Sequence, residues 1–237
     1  MVAYKTAVVT GGTRGIGKAI VALFLNQGFK VITCSRNPQK VDELKQEFAT
    51  KVKVGMLSAL QVDMSLKSAV LDFASQIIDN TRQVNVLVNN AGIFLPGSIM
   101  AEEEHTFETL INTNLASAYH LTRALMPHIP QHQGAHIFNM CSTASITPYM
   151  NGGSYCISKF ALLGFSKVLR EELKQLGIKV TAILPGPTLT DSWAGANLPD
   201  SRFMTAKDIA DTLWAAYSLS PAANIEEILM RPLPGDI

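Results

Sequence analysis

Short runs of β-branched residues alternate with stretches of helical period along almost the whole chain, and this alternation most constrains the fold. "KTAVVT" (5–10), "KVITC" (30–34), "LSALQVD" (57–63), "VNVLVNN" (84–90), "AHIFNMC" (135–141), "KVTAILPG" (179–186) and "EEILMRP" (226–232) read as strands. Helical stretches fall between them at 17–28, 38–49, 65–79, 101–129, 154–176 and 206–218. Gly28 closes the first helix. Asn37 and Pro38 open the second as cap and first helical residue. The long region 101–129 is predicted to break near its middle, and "EEEH" (102–105) reads as its acidic first turn, where carboxylates suit the helix dipole. Strands in this rhythm predict βαβ units. The expectation is one α/β domain over residues 1–237, with a doubly wound, seven-stranded, mostly parallel sheet and helices on both faces.

Composition leaves room for such a core. Of the 237 residues, 47% are hydrophobic and 16% charged, with a formal net charge of +1. Mixed charge near neutrality removes the electrostatic reason to expect nucleic acid or an anionic membrane as partner. No apolar run reaches the roughly 18 residues that span a bilayer. "MVAYKTAVVTGG" runs straight into a strand, without a leader pattern. Cys34, Cys141 and Cys156 form no CxxC pair and read as buried thiols. A soluble, cytoplasmic, reduced protein is expected. His128 and His132 are four apart, but Pro130 lies between them. No HExxH or Cys–His set is present, so no metal site is expected.

"TGGTRGIG" (10–17) joins the first strand to the first helix. Gly11, Gly15 and Gly17 would allow a tight turn and close backbone approach to a pyrophosphate at the helix amino terminus. The spacing departs from G-x-G-x-x-G, and glycines are also ordinary turn residues. The second strand ends in Ser35 and Arg36, where an acid would bind a ribose 2′-hydroxyl. Arg36, joined by Arg14, suits a 2′-phosphate instead. Two solvated surface arginines are the plainer reading. Asp63, at another strand end, reads as a cap of the next helix, itself or through Ser65, or as an acceptor for an adenine amino group.

Tyr155 and Lys159 lie four apart on one helix face. An ammonium beside a phenol favours the phenolate and lowers its pKa. The phenol then serves as general acid for a forming alkoxide, or base in reverse. Alone, such a pair reads as an exposed lysine beside a half-buried tyrosine. Ser142, thirteen positions upstream after a predicted strand, supplies a hydroxyl to hold a carbonyl oxygen.

The set "TGGTRGIG", "VDMS", "NNAG" (89–92), "INTNL", Ser142, "YCISK" and "PGPTLT" (185–190), in this order and spacing, resembles the classical short-chain dehydrogenase/reductase family over nearly the whole chain, in its NADP(H)-preferring form. The resemblance implies a Rossmann domain and reduction of a ketone or aldehyde, or the reverse, with Asn114, Ser142, Tyr155 and Lys159 as the catalytic set. Asn114 should bind a helix backbone carbonyl and hold a water that extends a proton relay from Tyr155 through Lys159; Asn112 competes for this place. It implies cofactor contacts at Gly11, Thr13, Arg14, Gly15, Ile16, Gly17, Ser35, Arg36, Asp63 and Met64. Further contacts are implied at Asn90, Ala91, Gly92, Tyr155, Lys159, Pro185, Gly186, Thr188 and Thr190.

Residues 187–205 occupy the family's substrate-loop position. Trp193, Phe203 and Met204, with Phe94, Leu95 and Tyr149, would close over an apolar substrate, or pack the loop onto the body. Substrate contacts are expected from Ser142, Tyr155, Phe94, Tyr149 and Trp193. The stretch "EEILMRPLPGDI" lacks the glycine-rich ending common in acyl-carrier reductases of the family. It looks more like sepiapterin reductase-like and small hydroxy-acid dehydrogenase members. The resemblance also implies a homotetramer or homodimer through helices 101–129 and 154–176, where "FALLGFSKVL" fits an interface or burial against the sheet. Three readings stand: an NADP(H)-dependent carbonyl reductase, a 3-oxoacyl-carrier-protein reductase, and a non-catalytic NADP(H)-sensing regulator. A regulator would tolerate loss of the proton relay, and this sequence keeps every member of it.

Overall fold

All five residues of β1 (Thr6–Thr10) are buried. Ala7 and Val9 face one layer of the core and Val8 the other. A strand covered on both sides has no polar face to show, hence "TAVVT". The computed structural model describes residues 4–190 and 198–236. The other strands are β2 (Lys30–Ser35), β3 (Leu57–Gln61), β4 (Val86–Asn89), β5 (His136–Met140), β6 (Lys179–Pro185) and β7 (Glu227–Met230). They form one sheet in the order β3-β2-β1-β4-β5-β6-β7. Every pairing is parallel, where the sequence predicts a mostly parallel sheet.

The chain winds outward from β1 to β3, returns to β4 beside β1, and winds the other way. Such a reversal opens a crevice at the carboxyl ends of the strands. One face carries α1 (Gly15–Asn26), α2 (Pro38–Glu47), the short α3 (Ala49–Lys53) and, later in the chain, α8 (Ala206–Ser218). Phe24, Leu25, Leu44, Ile209 and Leu213 bury this side. The other face carries α4 (Lys67–Asn80), then α5 (Thr106–Ile111), α6 (Ser117–Leu125) and α7 (Gly153–Leu173). There Phe73, Ile77, Leu121, Leu125 and Leu169 form the second layer.

Three local expectations change. The long region 101–129 becomes helical only at Thr106, and its break is a π-helical turn, Asn112–Ala116, between α5 and α6. "EEEH" is not a helical first turn: His105 is left-handed, with φ 70°. Glu102 instead accepts from the Ser154 backbone N–H of α7 at 2.8 Å and from the Ser154 hydroxyl. That helix opens on Gly152 and Gly153, which have no side chain to cap it, so its amides draw a carboxylate from elsewhere. Asp63 does not cap α4, nor does Ser65. The Asp63 carboxylate accepts from the Ser65 N–H at 2.9 Å and hydroxyl at 2.7 Å, and α4 starts later, behind Leu66.

"FALLGFSKVL" divides between its two readings. Leu162, Leu163, Ser166 and Leu169 are buried, while Phe160, Gly164 and Val168 are exposed. The three cysteines are buried free thiols. Among the described residues no helix is long and apolar enough to cross a membrane, and no three His, Cys, Asp or Glu cluster as a metal site.

Candidate active site

The crevice is a cleft of about 540 Å3 running from the β1–α1 loop to the start of α7. At the loop end, Gly11 has φ +67°, a left-handed conformation that favours glycine. A Cβ on Gly17 would lie 2.3 Å from the Gly11 carbonyl oxygen and 2.5 Å from Asn90 Nδ2, so only glycine lets this turn close. Asn90 stitches the turn to β4: its Nδ2 donates to the Thr10 carbonyl at 2.9 Å and the Gly11 carbonyl at 3.2 Å. The Thr10 hydroxyl oxygen accepts from the Asn90 and Ala91 N–H groups at 3.0 and 2.9 Å. The first turn of α1 has no side-chain cap and no acid, and Gly15, Ile16 and Gly17 line the cleft.

At the other end, Lys159 is buried and its Nζ donates to the Met140 carbonyl at 2.8 Å, 5.9 Å from the Tyr155 ring centroid. Ser142 heads a 3-10 turn, and its Oγ accepts from Ala144 N–H at 3.1 Å. That leaves the Ser142 O–H as a donor, and the hydroxyl hydrogen-bonds Tyr155. Asn114 sits in the π turn, 1% exposed. Its Oδ1 accepts from Ile93 N–H at 2.8 Å, and its Nδ2 donates to the Ile93 carbonyl at 3.1 Å and the Ser158 hydroxyl at 3.0 Å. Ser158 in turn donates to the Tyr155 carbonyl at 2.7 Å. The carbonyl that Asn114 holds therefore belongs to the loop after β4, not to a helix. Asn112, its competitor, is exposed.

A sequence profile of the short chain dehydrogenase family matches residues 5–200. The chain belongs to this family. This short-chain dehydrogenase is 31% identical over 240 residues to the NADP-dependent 3-hydroxy acid dehydrogenase YdfG of Salmonella typhi, across 95% of this chain and 94% of that one. It is 30% identical over 229 residues to an uncharacterized oxidoreductase of Staphylococcus epidermidis, across 97% of each chain. Its fold superposes with a TM-score of 0.82 on a metagenomic short-chain oxidoreductase in complex with NADP, at 29% identity and 97% coverage of both chains.

All nineteen residues expected at the cofactor of this short-chain dehydrogenase line the one cleft, from Gly11 to Thr190, and so do Ser142, Phe94 and Tyr149. Asn114 does not line it and works from behind. Trp193 lies outside the described residues. Met204 is 9% exposed and packs in the core beside α8, where Leu189 N–H donates to its carbonyl at 2.8 Å. It fastens the loop to the body, and neither it nor Phe203 nor Leu95 borders the cleft. Met140, Thr143, Thr147 and Asp236 line the cleft without having been singled out. The first three flank motif residues, so their neighbours were the signal. Asp236 had none.

The electrostatics differ from the sequence expectation. Burial pushes the Tyr155 phenol above its ordinary value, and the Ser142 hydrogen bond pulls back part of the way. Burial also pushes Lys159 down to about 8. The ammonium is tied to the Met140 carbonyl, so desolvation governs the phenol rather than the lysine charge. The Phe94 ring meets the Tyr155 ring edge-on at 4.8 Å and adds apolar cover.

Proposed function

We propose that this short-chain dehydrogenase is an NADP(H)-dependent oxidoreductase that interconverts a small carbonyl compound and its alcohol, with Tyr155 as general acid and base. The observation that carries the reading is one cleft joining a glycine turn at one end to Ser142, Tyr155 and Lys159 at the other.

The residues present fit a dinucleotide. The turn leaves no side chain at Gly11, Gly15 or Gly17, and the uncapped amino terminus of α1 suits a pyrophosphate. Arg14 and Arg36 are exposed at the same end, with Ser35 where an acid would repel a 2′-phosphate. Asp63 takes the adenine amino group. Pro185, Gly186, Thr188 and Thr190 line the stretch that leads to Tyr155 and take the nicotinamide. When bound, the nicotinamide supplies or accepts the hydride. NADP is named for the YdfG relative and for the metagenomic oxidoreductase, which supports the choice of cofactor.

Ser142, whose hydroxyl stands beside the Tyr155 phenol, orients the carbonyl oxygen together with it. Tyr155 gives that oxygen its proton during reduction and takes it back during oxidation. A raised phenol rests protonated, which is the form reduction requires. Lys159, at about 8, is largely charged at neutral pH and stands beside the Tyr155 ring, held there by the Met140 carbonyl. Asn114 fixes Ile93 and Ser158, and through them the turn that presents Tyr155. The exposed apolar residues Ile157, Phe160 and Val168 of α7 suit pairing with a second copy of the chain.

The test is NADPH and NADH consumption against small diketones, aldehydes, 3-keto esters and a 3-ketoacyl thioester, with Tyr155→Phe alongside. The reading predicts turnover with NADPH that falls by about 10²–10⁴ in the variant. NADPH binding without turnover of any substrate would favour a sensing regulator. Preference for the thioester would make the protein an acyl-carrier reductase.

A further inference from the structure

Ser142 is held by a residue that does not border the cleft. Ser145 is 1% exposed and lies outside the cleft lining. Its Oγ accepts from the Ser142 backbone N–H at 3.2 Å, and its own N–H donates to the Ser142 carbonyl at 2.9 Å. The Ser142 Oγ in turn accepts from Ala144 N–H at 3.1 Å. The 3-10 turn Thr143–Ser145 is therefore closed from both ends, side chain to backbone in each direction.

The Ser145 hydroxyl is itself set from behind. It stands beside the Cys141 thiol, and that thiol stands beside Ser166 of α7. Ser166 Oγ accepts from Asn139 Nδ2 of β5 at 2.9 Å and donates to the Leu162 carbonyl at 2.8 Å. Asn139, Cys141 and Ser166 are all buried. A polar strip thus runs through the core from the Ser142 turn to α7, the helix that carries Tyr155 and Lys159. Buried hydroxyls cost stability unless they are paired, and alanine differs from serine only by that oxygen. The bond from Ser145 N–H to the Ser142 carbonyl would remain without it. What the hydroxyl adds is a fixed place for Ser142 relative to α7.

Resting on the oxidoreductase reading above, we propose that Ser145 is a positioning residue: through the Ser142 backbone N–H it holds the Ser142 hydroxyl beside the Tyr155 phenol. It acts on the reaction only through Ser142.

The test uses the wild type, Ser145→Ala, Ser142→Ala and the double variant, with NADPH and the carbonyl compound of the panel above that the wild type turns over fastest. Ser145→Ala should lower kcat about tenfold, equivalent to about 1.4 kcal/mol of barrier. Its NADPH dissociation constant, from fluorescence titration, should stay within about twofold of the wild type. In the Ser142→Ala background the same change should cost less than about twofold, because no hydroxyl is left to position. Oxidation of the product alcohol with NADP+ reads the phenol directly. The Ser142 hydroxyl pulls the Tyr155 phenol down, so loosening it should move the pH profile of oxidation, which needs the phenolate, to higher pH. Tyr149, Cys141, Cys156 and Lys159 also face the phenol, and all four are kept in the variant. A merely structural serine would lower the melting temperature and leave kcat of the folded protein and its pH profile unmoved. That result, or an equal loss with and without the Ser142 hydroxyl, overturns the proposal and leaves the oxidoreductase reading standing. Absence of turnover by the wild type with every compound of the panel overturns that reading, and the proposal with it.

Discussion

Glu102 closes the amino terminus of α7 through Ser154, the residue immediately before Tyr155 and 52 positions away in sequence. Oε1 takes the backbone N–H and Oε2 the hydroxyl. Gly153 and Gly97 make room for it: a Cβ on Gly153 would lie 2.2 Å from Oε1, and one on Gly97 would lie 2.8 Å from Glu102 Cγ. Glu102→Ala should lose about 1–2 kcal/mol of stability, as other helix caps do. It should also lower kcat more than it weakens NADPH binding, because the turn that presents Tyr155 loosens while the glycine turn does not. Glu102→Gln keeps one acceptor and should recover part of kcat. Urea unfolding, steady-state kinetics and NADPH titration of both variants check this; equal losses in kcat and NADPH affinity would point to general damage.

Lys159 makes stability depend on pH in a defined direction. Its pKa falls from the ordinary 10.5 to about 8 through burial. Between those values the unfolded chain holds a proton that the folded chain has released, so the lysine's contribution to stability rises with pH across that window. Below about 8 the cost of the buried charge is fully present. Without cofactor, Lys159→Met should therefore melt higher than wild type at pH 7. The gap should close as pH rises from 8 toward 10.5. Thermal melts across pH 6.5–10.5 would contradict this account if wild type were the more stable at neutrality or if the gap were flat.

Arg36 should set cofactor choice. Charge-assisted bonds to a 2′-phosphate contribute about 1.5–3 kcal/mol, so Arg36→Asp should weaken NADPH binding by about ten- to a hundredfold. NADH binding should hold or improve, because the new carboxylate can accept from a ribose hydroxyl. Added salt should weaken NADPH binding to the wild type more than to the variant. Fluorescence titration of both cofactors at two ionic strengths reads both effects.

His136 adds an acid-side liability far from the site. The Thr181 hydroxyl donates to the Ile225 carbonyl, so His136 Nε2, 2.8 Å from that hydroxyl, carries the hydrogen between them. Nδ1 is buried with no partner among the described residues. Burial, helped by the charge of Lys179, holds the ring well below 6.5. Under pH 6.5 the unfolded chain gains a proton the folded chain refuses, so stability falls with acidity at up to about 1.4 kcal/mol per pH unit. His136→Met should flatten that slope between pH 5 and 6.5. Denaturant titrations at closely spaced pH values measure it, and an unchanged slope would place the acid sensitivity elsewhere.

The sequence by itself determined the sheet, the two helical layers and most of the cleft lining. Strands buried on both faces must be apolar throughout, helices must repeat their apolar positions, and Gly11 and Gly17 stand where no other side chain fits. Each of those demands is written in neighbouring residues. Tertiary structure alone decided that Glu102 would serve α7 rather than its own turn, and that Lys159 would bond to Met140 instead of pressing on the Tyr155 phenol. It also decided that Asn114 would hold Ile93, and that Asp236 would reach Gly186 across the sheet end. These are pairings of residues far apart in the chain. Their partners depend on which strand lies beside which and on how much water the packing removes, and neither quantity is carried by a local pattern.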